Sequence, residues 1–124
     1  MKVAVSAMGA TLDSAVDPRF GRAKTFLFVE TDDMSFEAIE NTASSLGGGA
    51  GIQSARLMAQ NGVKAVLTGN CGPNAHQTLS AAGIDVIIGC SGTVLEAVTQ
   101  LKAGGLVAAT APNVDSHSGM GDRS

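Results

Sequence analysis

Two short apolar, β-branched runs open the chain, "KVAVSA" (2–7) and "TFLFVE" (25–30), and both read as buried strands. Asp32 and Asp33 in "TDDMS" suit a turn, so "FEAIEN" (36–41) is expected as a third strand in a hairpin with the second. Its charged positions, Glu37 and Glu40, mark it as the edge of a sheet.

From residue 47 the periodicity changes to alternating helices and strands. "GGGAGIQSARLMAQNG" starts with Gly47, Gly48 and Gly49, then sets Ile52, Ala55, Met58 and Ala59 at helical spacing and stops at Asn61-Gly62. A strand "VKAVLTG" (63–69) follows, then a helix "PNAHQTLSAAG" (73–83) with Pro73 in the first turn, where a missing N–H costs nothing. "IDVIIG" (84–89) is the next strand. "TVLEAVTQLKAGG" (93–105) carries a Thr93-x-x-Glu96 capping box, an apolar face of Val94, Ala97, Val98 and Leu101, and Gly104 as its stop. Residues 62–83 and 83–104 echo one another as Gly, strand, loop, helix, Gly. The expected order is β-β-β-α-β-α-β-α, an α/β fold whose mixed five-stranded sheet has helices on both faces. With strands 1, 3, 4 and 5 parallel and strand 2 antiparallel, loops 7–20, 42–51, 69–73 and 89–93 meet at one edge of the sheet. Open α/β sheets place their ligands at such an edge.

At 124 residues the chain suits one domain, expected over 1–111, with a polar, turn-rich tail at 112–124 expected to be mobile. Apolar residues make up 44% and charged residues 15%, which excludes a disordered chain. A net charge of −3 argues against a general nucleic-acid or anionic-membrane surface, so any anion site must be local. No apolar run reaches the roughly 20 residues needed to cross a bilayer. Cys71 and Cys90 form no CxxC pair and no secretory leader follows Met1, which points to reduced thiols and a cytoplasmic location.

Three expected helices are entered through glycine-rich loops, "LGGGAG" (46–51), "GNCGP" (69–73) and "GCSG" (89–92). Glycine lets backbone N–H groups approach a ligand, and helix N-termini favour negative charge, so their convergence would make an anion pocket. Glycines that only form tight turns are the competing account. "DPRFGRAK" (17–24) holds Arg19, Arg22 and Lys24, three of the eight basic residues. This concentrated positive spot suits an anion or a partner's carboxylates, or else it is a solvated cluster with Phe20 plugging the core. Cys71 and His76 are soft-metal donors, or a turn filler and a hydrogen-bonded side chain; a lone Cys–His pair falls short of a four-ligand zinc spacing. Cys90, Met8, His117 and Met120 are further scattered donors. No GxSxG, HExxH, GxGxxG or P-loop occurs, and the first strand has no carboxylate for two-metal nuclease chemistry.

"MKVAVSA", "RFGRAKTFLFVE" and the stretch from "GGGAGIQ" to "GTVLEAV" together resemble the dinitrogenase iron–molybdenum cofactor biosynthesis domain family, with "RFGRA", "GAGI" and "GPNA" the most specific parts. The resemblance runs to about Leu106 and is strongest to the small stand-alone members. It implies a ribonuclease H-like three-layer α/β/α fold and a non-catalytic carrier or store for an anionic metal–sulfur cluster. The cargo so implied is a molybdenum–copper sulfide cluster or an iron–molybdenum cofactor precursor, and the partners are cofactor-assembly proteins. The pocket would draw on Ser6, Arg19, Phe20, Arg22, Gly47, Gly48, Gly49, Asn70, Gly72, Pro73, Ser91, Gly92 and Thr93, with Cys71 and His76 as the candidate metal contacts. A module for a phosphorylated metabolite or nucleotide is the alternative, using the same helix N-termini. A protein-interaction domain is the third reading.

Overall fold

The computed structural model describes residues 1–41 and 50–105. Its elements are β1 (Lys2–Ala7), β2 (Thr25–Glu30), β3 (Phe36–Glu40), α1 (Ala50–Gln60), β4 (Ala65–Leu67), α2 (Pro73–Ala81), β5 (Asp85–Ile87) and α3 (Val94–Lys102), in the expected order. The sheet runs β3-β2-β1-β4-β5. β1 pairs parallel with β4, and β4 with β5, whereas β2 is antiparallel to both β1 and β3. Strands 1, 3, 4 and 5 therefore point one way, and their C-terminal ends share an edge.

Both faces of the sheet are covered, which is why β1 reads as a continuous apolar run rather than an alternation. Val3, Val5 and Ala7 join Leu27, Val29, Ala65 and Leu67 under Val94, Ala97 and Val98 of α3. Ala4, Phe26, Phe28 and Val66 face the other way, against Ala55 and Met58 of α1 and Ala75 and Leu79 of α2. The result is three layers, with α1 and α2 on one face and α3 on the other. β3 lies at the edge, as its charges suggested, with Phe36 43% exposed.

The apolar stripe of α1 differs from expectation: Ser54, Ala55 and Met58 are buried and Ala59 is exposed. The helix lies between the sheet and α2, and this turns its buried line toward Ser54, whose hydroxyl bonds Asn41 Oδ1 at 3.3 Å. β4 and β5 have three residues each, shorter than the runs that predicted them, because the chain after Leu67 and Ile87 leaves the ladder to build the edge loops. Gly83 and Gly104 end α2 and α3 at φ +76° and +80°, left-handed values that stop a helix where an L side chain would be strained. The 47–49 glycines and the tail from Pro112 lie outside the described residues. Among the described residues, no helix is long and apolar enough to cross a membrane.

Candidate functional site

The C-terminal edge of the sheet is tied together by buried polar groups. Ser6, at the end of β1, is fully buried; its hydroxyl donates to the Asp17 carbonyl at 2.7 Å and lies 2.8 Å from the Thr68 hydroxyl. The Asp17 N–H donates back to the Ser6 carbonyl at 2.8 Å. One loop further along, Asn70 Nδ2 donates to the Pro18 carbonyl at 3.0 Å, and the Phe20 N–H donates to the Asn70 carbonyl at 3.2 Å. The loop before β2 and the loop after β4 thus form one unit, with Arg19 and Asn70 in a bridging pair. Ser6 pins that unit from below through its bonds to Asp17 and Thr68.

The two echoing helices start differently. α3 is closed at its N-terminus: Glu96 N–H donates to Thr93 Oγ1 at 3.1 Å, and Thr93 N–H donates to Glu96 Oε1 at 2.8 Å. Val94 N–H donates to the Ser14 carbonyl and Leu95 N–H to the Leu12 carbonyl, each at 2.9 Å. All the N–H groups that a helix start usually leaves unpaired are therefore used, and a carboxylate already sits there. α2 starts on Gly72 with no side-chain cap, and Pro73 has no N–H to offer. The first N–H to enter its ladder is that of His76, to the Gly72 carbonyl at 2.9 Å. The N–H groups of Asn74 and Ala75 find no acceptor among the described residues.

The start of α1 lies beside that of α2, since a Cβ on Gly51 would stand 3.1 Å from the Ala75 Cβ. Two of the three expected helix N-termini therefore come together. The third start lies apart from them: Ser91, Gly92 and Thr93 lead into α3 on the other face of the sheet, where the carbonyls of Ser14 and Leu12 accept the N–H groups of Val94 and Leu95.

A pocket of about 300 Å³ opens between these groups, lined by Arg19, Phe20, Gly21, Arg22, Asn70 and Gly72. Of the residues expected from sequence, Arg19, Phe20, Arg22, Asn70 and Gly72 line it together, with Pro73 next in the chain. Gly21 was missed, although it stands between two expected residues in "RFGR". Phe20 is 2% exposed and packs on Phe26 with ring centroids 5.3 Å apart, so it anchors the arginine loop to the core. Asp17, 1% exposed, accepts from the Arg19 N–H at 2.9 Å and from Arg19 Nε at 3.4 Å. Arg22 and Lys24 are exposed and make no ion pair among the described residues. Among the described residues, the lining contains two cations, no carboxylate, and the N-cap of an uncapped helix.

Cys71 and His76 do not line this pocket. Cys71 is 1% exposed and belongs to the core between the sheet and α1 and α2. Burial pushes its thiol up to about 11, so it is protonated at neutral pH. Cys90 lies in the core on the opposite face, and burial raises it as well, against the lowering effect of a hydrogen bond with the Thr68 backbone. His76 is buried within α2. Among the described residues, no three His, Cys, Asp or Glu side chains gather as a metal site. The arrangement suits an anion held by guanidinium groups and backbone N–H groups better than a bare cation held by side-chain donors.

The model of the family described as "Dinitrogenase iron-molybdenum cofactor" matches residues 1–104. An uncharacterized protein of Methanocaldococcus jannaschii is 37% identical over 90 residues, 69% of this chain and 76% of that protein. Among solved structures, the apo form of the orange protein from Desulfovibrio gigas superposes with a TM-score of 0.89 at 42% identity, covering 91% of this chain and 96% of that one. A putative NifB protein from Thermotoga gives 0.75 at 34% identity, over 86% of this chain and 91% of that one. With five strands, three helices and the arginine loop all inside the matched span, the chain belongs to the dinitrogenase iron–molybdenum cofactor family.

Proposed function

We propose that this protein carries or stores an anionic metal–sulfur cluster, of the molybdenum–copper sulfide or iron–molybdenum precursor type, and does not turn it over. The observation that carries the reading is the pocket in which Arg19 and Arg22 face the uncapped start of α2. A sulfide-bridged cluster is a multiply charged anion, so cationic side chains and unpaired N–H groups recognise it without thiolate ligands. The protonated state of Cys71 fits this mode of binding, since a ligating thiol would first have to lose its proton. Delivery and removal of the cargo fall to cofactor-assembly proteins, which would meet the chain at the same open edge of the sheet.

The test is to add tetrathiomolybdate with copper to the purified protein, remove the excess, and record visible absorption and metal content. Retained colour with molybdenum and copper in a fixed ratio supports the carrier, and its loss in Arg19→Gln/Arg22→Gln places the cargo in this pocket. If no metal is retained while inorganic phosphate or a nucleotide raises the melting temperature, the cluster reading is wrong and the pocket serves a phosphorylated metabolite.

A further inference from the structure

We infer that Asp17 is a positioning residue that fixes the Arg19 guanidinium at the mouth of the pocket; the inference rests on the anion-site reading above. Its carboxylate is 1% exposed, and Oδ1 takes both of its hydrogen bonds, from the Arg19 N–H at 2.9 Å and from Arg19 Nε at 3.4 Å. Oδ2 accepts nothing among the described residues. A buried carboxylate satisfied through one oxygen is a costly way to hold a loop. An asparagine would accept the Arg19 N–H equally well, so the turn alone does not require the charge. The charge has one evident use: it attracts the guanidinium and holds Nε, so that the remaining N–H groups of Arg19, whose side chain is 60% exposed, are left for a ligand. The support is itself rigid, because the Asp17 backbone is tied to Ser6 through both its N–H and its carbonyl.

Removing a carboxylate beside an anion site should tighten anion binding if charge alone mattered. If Asp17 positions Arg19, removal weakens it.

The experiment uses Asp17→Asn in the full chain with tetrathiomolybdate as the probe, followed by visible absorption in equilibrium dialysis. Binding about tenfold weaker than wild type, at an unchanged melting temperature, is the expected result. Equal or tighter binding overturns the inference. In an Arg19→Gln background the same change should no longer weaken binding, whereas a general structural defect would still do so.

The Arg19 Nε–Hε resonance of the ligand-free protein gives a second readout, expected to be protected from exchange in wild type and averaged in Asp17→Asn. Equal protection in both also overturns the inference. If that resonance behaves as expected while wild type takes up no tetrathiomolybdate, the cargo reading fails and the positioning stands. Should Asp17→Asn fail to fold, Arg19→Lys keeps the charge without Nε–H. It is expected to bind about tenfold more weakly, and wild-type affinity in it would refute the role of the fixed fork.

Discussion

Gly69 and Pro18 are in backbone contact: a Cβ on Gly69 would lie 2.7 Å from the Pro18 Cα and 3.0 Å from its carbonyl oxygen. This approach lets Asn70 reach the Pro18 carbonyl and brings Arg19 beside Gly72 in one pocket wall. Backbone cannot swing aside as a side-chain tip can, so Gly69→Ala forces the two loops apart. The expected cost is about 1–3 kcal/mol, seen as a lower denaturation midpoint at unchanged m-value, together with weaker anion binding.

Among the described residues nothing lies within 4 Å of where a Gly72 Cβ would go, and the backbone there is extended at φ −73°, so Gly72→Asp meets no described neighbour. The new carboxylate would accept the idle N–H groups of the first turn of α2. Melting should rise by the equivalent of a few tenths of a kcal/mol to about 1 kcal/mol, while anion uptake is abolished by the occupied cap. Stability and binding moving in opposite directions is the signature to measure. A variant that gains stability and still binds would show that the start of α2 is not part of the site.

Thr93→Ala removes the cap that closes α3 and should cost about 1 kcal/mol, readable by denaturant titration. Because the cap serves the helix from the far face of the sheet, the dissociation constant for tetrathiomolybdate should stay within a factor of two of wild type.

Ser6→Ala tests whether that hydroxyl serves structure or ligand. It leaves the buried Asp17 carbonyl and Thr68 hydroxyl short of a partner, which costs about 1–3 kcal/mol. A fall in stability is expected. Unaltered stability with lost anion binding would instead place Ser6 in contact with the cargo.

The raised Cys71 thiol sets an alkaline dependence. In the unfolded chain it ionises near its ordinary 9.0, and in the folded chain near 11. Below pH 9 both states keep the proton and stability is unaffected. Between pH 9 and 11 only the unfolded chain loses it, so stability falls as pH rises through that window. In Cys71→Ala the decline should be shallower, with Cys90 supplying the remainder. Denaturant midpoints measured from pH 8 to 11 check this.

The order of elements was legible because each helix carries its own punctuation: Pro73 at one start, Thr93 and Glu96 at another, Gly83 and Gly104 at the ends. The edge position of β3 was legible from Glu37 and Glu40. That the arginine loop and Gly72 would line one pocket was legible, since charge and missing side chains are both visible in a sequence. Three-dimensional partners were not. Ser6 looks like a pocket hydroxyl until Asp17 and Thr68 are found against it. Ser91 to Thr93 look like a third cradle until the carbonyls of Leu12 and Ser14, some 80 residues earlier in sequence, are found accepting the N–H groups of Leu95 and Val94 there. Cys71 looks like a candidate metal contact, but its side chain lies in the core at 1% exposure, and nothing in "GNCGP" states which way a side chain points.

The unequal starts of α2 and α3 bear on loading. A chain that repeats a strand–loop–helix unit would be expected to hold cargo twice, once per copy. Here the helix start of one copy is filled by the chain's own carbonyls and a glutamate, so on the proposed reading a titration with cargo is expected to end at a single equivalent per chain.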